Sequence, residues 1–293
     1  MDRRIAFLFP GQGGLPEKLP PISQEIEDLY DVARSHGLKL KAWTVENAAD
    51  QLSQTQAAQP AILIDSVARD CALRAAGVAP VFVAGHSLGE YSALVSAGAL
   101  APIDALDLVI ERGRLMSTAV GGMAAIIKLE LDAVRALCRD VGPDVVVANH
   151  NGHRQVVVSG ADTSVDRVIE AAERVGGRGI RLRVSGPFHS PFMEPARIAL
   201  ARIIDEVTFR APSVPVVCGV SGRGETDVGR LRELMRDQMT ACVRWVDVID
   251  CLLEAGVSHA VEVGAGNVLT GLGKRITDRI TFLTYEEVAD GGV

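Results

Sequence analysis

In the stretch "VFVAGHSLGEYSAL" (residues 81–94) a serine, Ser87, stands between two glycines where an apolar run gives way to helical spacing. At a strand-to-helix junction, such glycines permit a tight, strained turn that leaves the serine Oγ exposed at the helix N-terminus, ready to act as a nucleophile. Outside that context the same five residues would be a helix-capping serine. A serine hydroxyl is a poor nucleophile without a base in hydrogen-bond reach, and the chain has six histidines. His189 stands apart, in the Pro- and Gly-punctuated loop "VSGPFHSPFM", the kind of segment where catalytic groups concentrate. His86 is expected to point away from the elbow. His36 and His259 end helical segments, and His150 and His153 lie in or beside a hairpin. No carboxylate is singled out to orient His189, and a backbone carbonyl could hold its tautomer equally well.

Two further features bear on acyl chemistry. Gly11-Gln12-Gly13 ends the first apolar run, so a backbone N–H there could join that of Leu88 in an oxyanion hole. Arg112, in "VIERGRLM", interrupts an apolar helical pattern. An ion-paired or snorkelling arginine is the ordinary reading; the alternative is a planar fork that holds an anionic substrate with two hydrogen bonds.

The elements that must position these residues alternate short apolar strands with helices, which predicts an α/β unit around a mainly parallel sheet. Between residues 122 and 186 the order becomes β-α-β-β-α-β, a ferredoxin-like unit. Its hairpin turns at Gly152-His153, its second helix starts at a capping box formed by Thr163 and Asp166, and its last strand is "RGIRLRVSG". The fold expected is therefore a large domain (1–121 and 187–293) with an inserted small one (122–186) and a cleft between them.

At 293 residues, 48% hydrophobic and 23% charged, the composition is that of a water-soluble chain, and a net charge of −7 argues against nucleic-acid binding. No apolar run reaches membrane-spanning length, and "MDRRIAFLFPGQG" reads as a first strand rather than a signal peptide. Five scattered cysteines without metal-ligand spacing fit a reduced, cytoplasmic protein with no metal site. Arginines cluster in 174–183 and 223–236, and three cations lie in 274–279.

Taken together, "FLFPGQG", "QPAIL", "GHSLGEYSALVSAGAL", "ERGRLM", "NHNGHRQVVVSG", "FHSPFM" and "EVGAGNVLTGL" closely resemble the malonyl-CoA:acyl carrier protein transacylases of fatty-acid and polyketide synthesis, from about residue 5 to 285. The resemblance implies an α/β-hydrolase-like domain with a ferredoxin-like insert. It also implies an S-malonyltransferase that works through a Ser-His dyad helped by backbone carbonyls. The family's nucleophile falls on Ser87, its base on His189, its oxyanion-hole glutamine on Gln12 paired with Leu88, and its carboxylate-binding arginine on Arg112. A further active-site glutamine falls on Gln238, and Gln59, Asn149, Asn151 and Gln155 match cleft-lining positions. Phe188 resembles the bulky residue of malonyl-selective relatives.

The implied partners are malonyl-CoA and an acyl carrier protein, with no cofactor beyond the coenzyme A thioester and with a monomeric enzyme. The chain departs from the family pattern at "GLPEKLPP" (residues 14–21) and at Asn267, where a lysine is commoner. The transferase subunit of a malonate decarboxylase is a near alternative. A serine esterase or thioesterase shares the elbow but not Arg112 or the insert, and a non-catalytic docking protein would not need intact Ser87, His189 and Arg112.

Overall fold

In a computed structural model that describes residues 3–16, 20 and 22–291, the chain builds two sheets. The first has six strands: β1 (Ile5–Phe9), β2 (Phe82–Gly85), β7 (Val216–Cys218), β8 (Arg223–Glu225), β9 (His259–Glu262) and β10 (Thr281–Thr284). Their order is β10-β9-β1-β2-β7-β8, parallel throughout except at the β8 edge. Every residue of β1 is buried, as expected of an apolar run at the centre of a parallel sheet covered on both faces. Strands β1 and β2 pair in register from Ala6↔Phe82 to Phe9↔Gly85, so their carboxyl ends stop side by side. Ligand-binding crevices of open α/β sheets form at such carboxyl edges.

The second sheet is formed by β3 (Gly122–Ile127), β4 (Val145–Gly152), β5 (Gln155–Gly160) and β6 (Arg178–Arg181), all antiparallel in the order β4-β5-β3-β6. With the helices Leu131–Val141 and Asp162–Arg174 this is the expected β-α-β-β-α-β unit. Strand alternation divides its side chains. Ala124, Ile126, Val156 and Val158 pack on the unit's own helices, whereas Met123, Ala125 and Val157 join the core of the large body. The two bodies are also stitched by backbone bonds, His150 N–H to Val243 O (2.8 Å) and Val243 N–H to Ala148 O (2.9 Å).

Three local expectations fail for identifiable reasons. The helix Asp162–Arg174 is capped by Ala161 without a side-chain bond, not by a Thr163–Asp166 box. The carboxylates of Asp162 and Asp166 are instead engaged by Arg181 of β6, so a tertiary ion pair takes the groups that a local cap would use. The hairpin turns at His153-Arg154, because β4 continues through Gly152, which pairs with Gln155. The last strand ends at Arg181, four residues into the apolar-basic run, and Leu182 and Val184 turn into the cleft. The first-strand loop departs from the family pattern at residues 14–21, of which 17–19 and 21 lie outside the described residues.

The elbow depends on the absence of side chains at its glycines. A Cβ at Gly89 would lie 2.0 Å from the Phe9 carbonyl oxygen, and one at Gly11 would lie 2.7 Å from the His86 oxygen. The loop after β1 is thus packed backbone to backbone on the turn after β2. Gly89→Ala should destabilise the protein by about 3 kcal/mol, read as a lowered urea midpoint. Gly271→Ala should instead stabilise by about 0.5–1 kcal/mol, since it lies mid-helix with only the Arg275 side chain near its missing Cβ.

Candidate active site

The strand β2 delivers Ser87 at φ +54° and the helix Gly89–Ser96 follows at once. A non-glycine residue in this left-handed region is strained by roughly 1–3 kcal/mol, and such strain clusters at functional sites. His189 is held the same way, at φ +57°. The two strained residues meet: Ser87 Oγ lies 2.7 Å from His189 Nε2. The other ring nitrogen, Nδ1, faces two carbonyl oxygens, of Gln238 at 3.1 Å and Ala241 at 3.0 Å. Both are acceptors only, so Nδ1 carries the proton, Nε2 is the acceptor, and the serine hydroxyl donates to it. Main-chain carbonyls thus do the orienting that a carboxylate does in a Ser-His-Asp triad. Burial, the Arg112 charge and His86 hold the His189 pKa down at about 3, which keeps the imidazole neutral and able to accept a proton.

Arg112 reaches the same serine from the helix Pro102–Met116. Only 1% exposed, its guanidinium donates to Ser87 Oγ (3.0 Å), to Gln59 Oε1 (2.5 Å) and to Gln238 Oε1 (3.2 Å). Its face lies over the Tyr91 ring, and its Nε has no partner among the described residues. No carboxylate touches it among the described residues, although a buried charge normally requires one. A guanidinium with only neutral partners, 3.0 Å from Ser87 Oγ, has the chemistry to bind an anion brought to that serine.

Gln59, itself buried, extends the network. It donates to Thr55 Oγ1 (2.8 Å) and to Gln12 Oε1 (3.4 Å), and Thr55 Oγ1 donates to the same Gln12 oxygen (2.8 Å). The Gln12 side chain is therefore tied down, and its backbone N–H, like that of Leu88, donates to no atom among the described residues. Two free N–H groups on the abutting loops after β1 and β2 are what an oxyanion requires.

Ser87, His189 and Gln12 line a cavity of about 170 Å³ whose walls are otherwise largely apolar: Met116, Met123, Val157, Leu182, Val184 and Phe188. Arg112, Gln59 and Gln238 are buried beside Ser87 and are not among the lining residues. Asn149 and Asn151 of β4 also line it. His86 is among the lining residues, and its ring is packed rather than turned to His189 or Ser87 Oγ, with Nε2 2.8 Å from Asn151 Oδ1 and the ring in edge contact with the buried Trp245. Gln155 is not brought to the site. It begins β5 and lines a separate hollow with Lys128, His153, Arg154 and Arg275. Glu90, by contrast, belongs to the site and was not singled out in the sequence. It is a buried acid three residues beyond Ser87, its carboxylate bonded to Gln238 Nε2 (2.6 Å) and to the Gly219 N–H. The signal available was one charge in the otherwise uncharged helix "GEYSALVS".

The chain is similar to known proteins along nearly its whole length. The family model for the acyl transferase domain matches residues 15–284. The malonyl CoA-acyl carrier protein transacylase of Bacillus subtilis is 39% identical, over 97% of this chain and 94% of that protein. Among solved structures, the acyl-carrier-protein S-malonyltransferase of Bartonella henselae superposes with a TM-score of 0.90 at 36% identity, covering 99% of this chain and 100% of that one. A malonyl-transacylase in complex with its type II PKS acyl-carrier protein superposes with a TM-score of 0.88 at 34% identity, covering 96% and 95% of the two chains.

The lowered pKa of His189 makes a prediction with a definite sign. The neutral imidazole is the active form, so depressing its pKa extends activity toward acid. The rate at which Ser87 reacts with a small neutral fluorophosphonate, which needs only the serine and its base, should lose less than twofold between pH 7.5 and pH 5.5, where a histidine of ordinary pKa would lose about tenfold. A pH–rate profile of that phosphonylation checks it.

Proposed function

The chain belongs to the acyl transferase domain family, with the malonyl CoA-acyl carrier protein transacylases as its relatives, and on that premise we propose how its residues transfer a malonyl group from coenzyme A to an acyl carrier protein. Ser87 passes its proton to His189 Nε2 as Oγ attacks the thioester carbonyl. The oxyanion is taken by the N–H groups of Gln12 and Leu88. Collapse breaks the C–S bond, His189 returns the proton to the leaving coenzyme A sulfur, and a malonyl-serine ester remains. The phosphopantetheine thiol of the carrier protein then repeats the sequence in reverse order, its proton going to His189 and finally back to Ser87. Protein groups and the thioester itself account for every step, so no cofactor is invoked.

The observation that carries this reading is a buried guanidinium, 3.0 Å from Ser87 Oγ, with no carboxylate in contact among the described residues. An acyl group ending in a free carboxylate supplies the missing anion; an acetyl group does not. The same charge acts on the base. Arg112 is among the causes that depress His189, so a carboxylate bound to Arg112 cancels that field just when His189 must accept a proton. A carboxylate-bearing acyl group is thereby favoured twice, in binding and in proton transfer.

The second acceptor is a thiol rather than water because the acyl group occupies an apolar cavity with its carboxylate pinned. Gln12 and Arg183 also line an adjoining hollow at the cavity rim. There, and at Arg275 beside Lys128 and Arg154, local cations offer an acidic carrier protein a place to approach a chain of net charge −7. No helix among the described residues is long and apolar enough to cross a membrane, and a cytoplasmic monomer is the working form of the proposal. Phe188 and the two methionines narrow the cavity beside Ser87, which favours malonyl over a branched homologue.

The test is selectivity. Arg112→Ala should lose malonyl transfer by a hundredfold or more while keeping or gaining acetyl transfer, because loss of one partner of a desolvated charge pair costs about 3–5 kcal/mol. Values of kcat/KM for malonyl-, methylmalonyl- and acetyl-CoA on both proteins measure it. An Arg112→Ala enzyme that still prefers malonyl contradicts the carboxylate clamp.

A further inference from the structure

Glu90 touches neither Ser87 Oγ nor His189, yet it is bound to the residue that touches almost everything else. Gln238 is the hub of the site. Its Nε2 donates to Glu90 Oε2 (2.6 Å) and to the Ser87 carbonyl (2.9 Å), its Oε1 accepts from Arg112 (3.2 Å), and its own main-chain carbonyl accepts from His189 Nδ1. A carboxamide can be turned end for end at little steric cost, so something must fix which end faces Arg112. Glu90 does so. Its second oxygen accepts from the Gly219 N–H, and Gly219 carries no side chain where a Cβ would sit 2.9 Å from that oxygen.

An ionised carboxylate, acceptor at both oxygens, satisfies both neighbours at once. An isosteric amide does not. With its nitrogen toward Gly219 it sets donor against donor, and with its nitrogen toward Gln238 it does the same unless Gln238 turns over. A turned Gln238 then presents Nε2 to the Arg112 donor and Oε1 to the Ser87 carbonyl. Every arrangement leaves a buried like-with-like pair, the kind of defect that buried polar networks tolerate least. Burial raises the Glu90 pKa to about 7, opposed by Gln238, Gly219 and Arg112. The same carboxylate reaches the Arg112 guanidinium through one carboxamide, and among the described residues no acid touches that guanidinium directly.

We propose that Glu90 is a positioning residue for acyl selectivity: through the carboxamide of Gln238 it keeps the Arg112 fork turned toward Ser87 before the acyl carboxylate arrives. The inference rests on the reading that Arg112 takes that carboxylate. It assigns a role to an acid that the transfer steps themselves do not use.

The experiment compares wild type, Glu90→Gln, Gln238→Met and Arg112→Ala by kcat/KM with malonyl-CoA and acetyl-CoA. The rate of Ser87 phosphonylation by a small neutral fluorophosphonate is measured alongside, because it needs only the serine and its base. In Glu90→Gln the malonyl kcat/KM should fall tenfold or more, while acetyl transfer and phosphonylation stay within about threefold. An unchanged malonyl-to-acetyl ratio, with phosphonylation retained, overturns the proposal. So does a raised ratio, which would make Glu90 merely a like charge opposing the substrate.

If Glu90→Gln loses all three rates together, Gln238→Met decides, since it cuts the same relay and leaves the Glu90–Gly219 bond in place. It must show the malonyl-specific loss, and retention of the wild-type ratio there overturns the proposal. Arg112→Ala separates the two readings. If it too keeps the wild-type preference, the carboxylate clamp has failed; if it loses the preference and Glu90→Gln does not, the relay alone has failed.

Discussion

A guanidinium buried beside Ser87 is the constraint around which this molecule is arranged. Taking a charge out of water costs several kcal/mol unless partners replace the solvent, and Arg112 is surrounded by neutral ones: two carboxamides, a serine hydroxyl and an aromatic face. Each partner must itself be satisfied, which draws in Thr55, Gln12, Glu90 and Gly219. The result is one connected polar network embedded in the apolar core, with Gln59 and Gln238 as its two arms. Among the described residues the network gives the guanidinium no anion, and in the proposed reaction the acyl carboxylate supplies one.

Strain has the same logic. Ser87 and His189 both sit at positive φ, and neither conformation would persist in an isolated peptide. The first is imposed by backbone packing of the elbow on the loop after β1, where Gly89 and the Phe9 carbonyl leave no room for a side chain. The second is held by two carbonyls from the turn after the helix Val228–Asp237. The six-stranded sheet therefore serves function by stopping β1 and β2 side by side. The inserted unit serves it by turning one face of its sheet, with Met123, Asn149, Asn151 and Val157, onto the opening.

What the sequence disclosed follows from how local each signal is. The elbow is five consecutive residues with a strand before and a helix after, so Ser87 was legible outright, and the β-α-β-β-α-β order was legible from alternation. Arg112 was visible only as a charge in an apolar helix. Its partners lie 53 and 126 residues away, and no spacing rule joins them. Glu90 was passed over because an acid in the first turn of a helix is unremarkable where the helix dipole favours it. Its burial against Gly219 and Gln238 is a tertiary fact. The Thr163–Asp166 cap was misread for the complementary reason, since a long-range arginine claimed the acids. The short strands β8 and β10 carry three and four residues, too few for a periodicity to register.

The central claim is that Ser87 carries the acyl group between two thiols, and intact-protein mass spectrometry after incubation with malonyl-CoA tests it most directly. The wild-type chain should gain the mass of one malonyl group, lose it on addition of a holo acyl carrier protein with matching gain on the carrier, and the Ser87→Ala chain should gain none. A label that persists on the alanine variant, or one released as free malonate while the carrier stays unmodified, would contradict it.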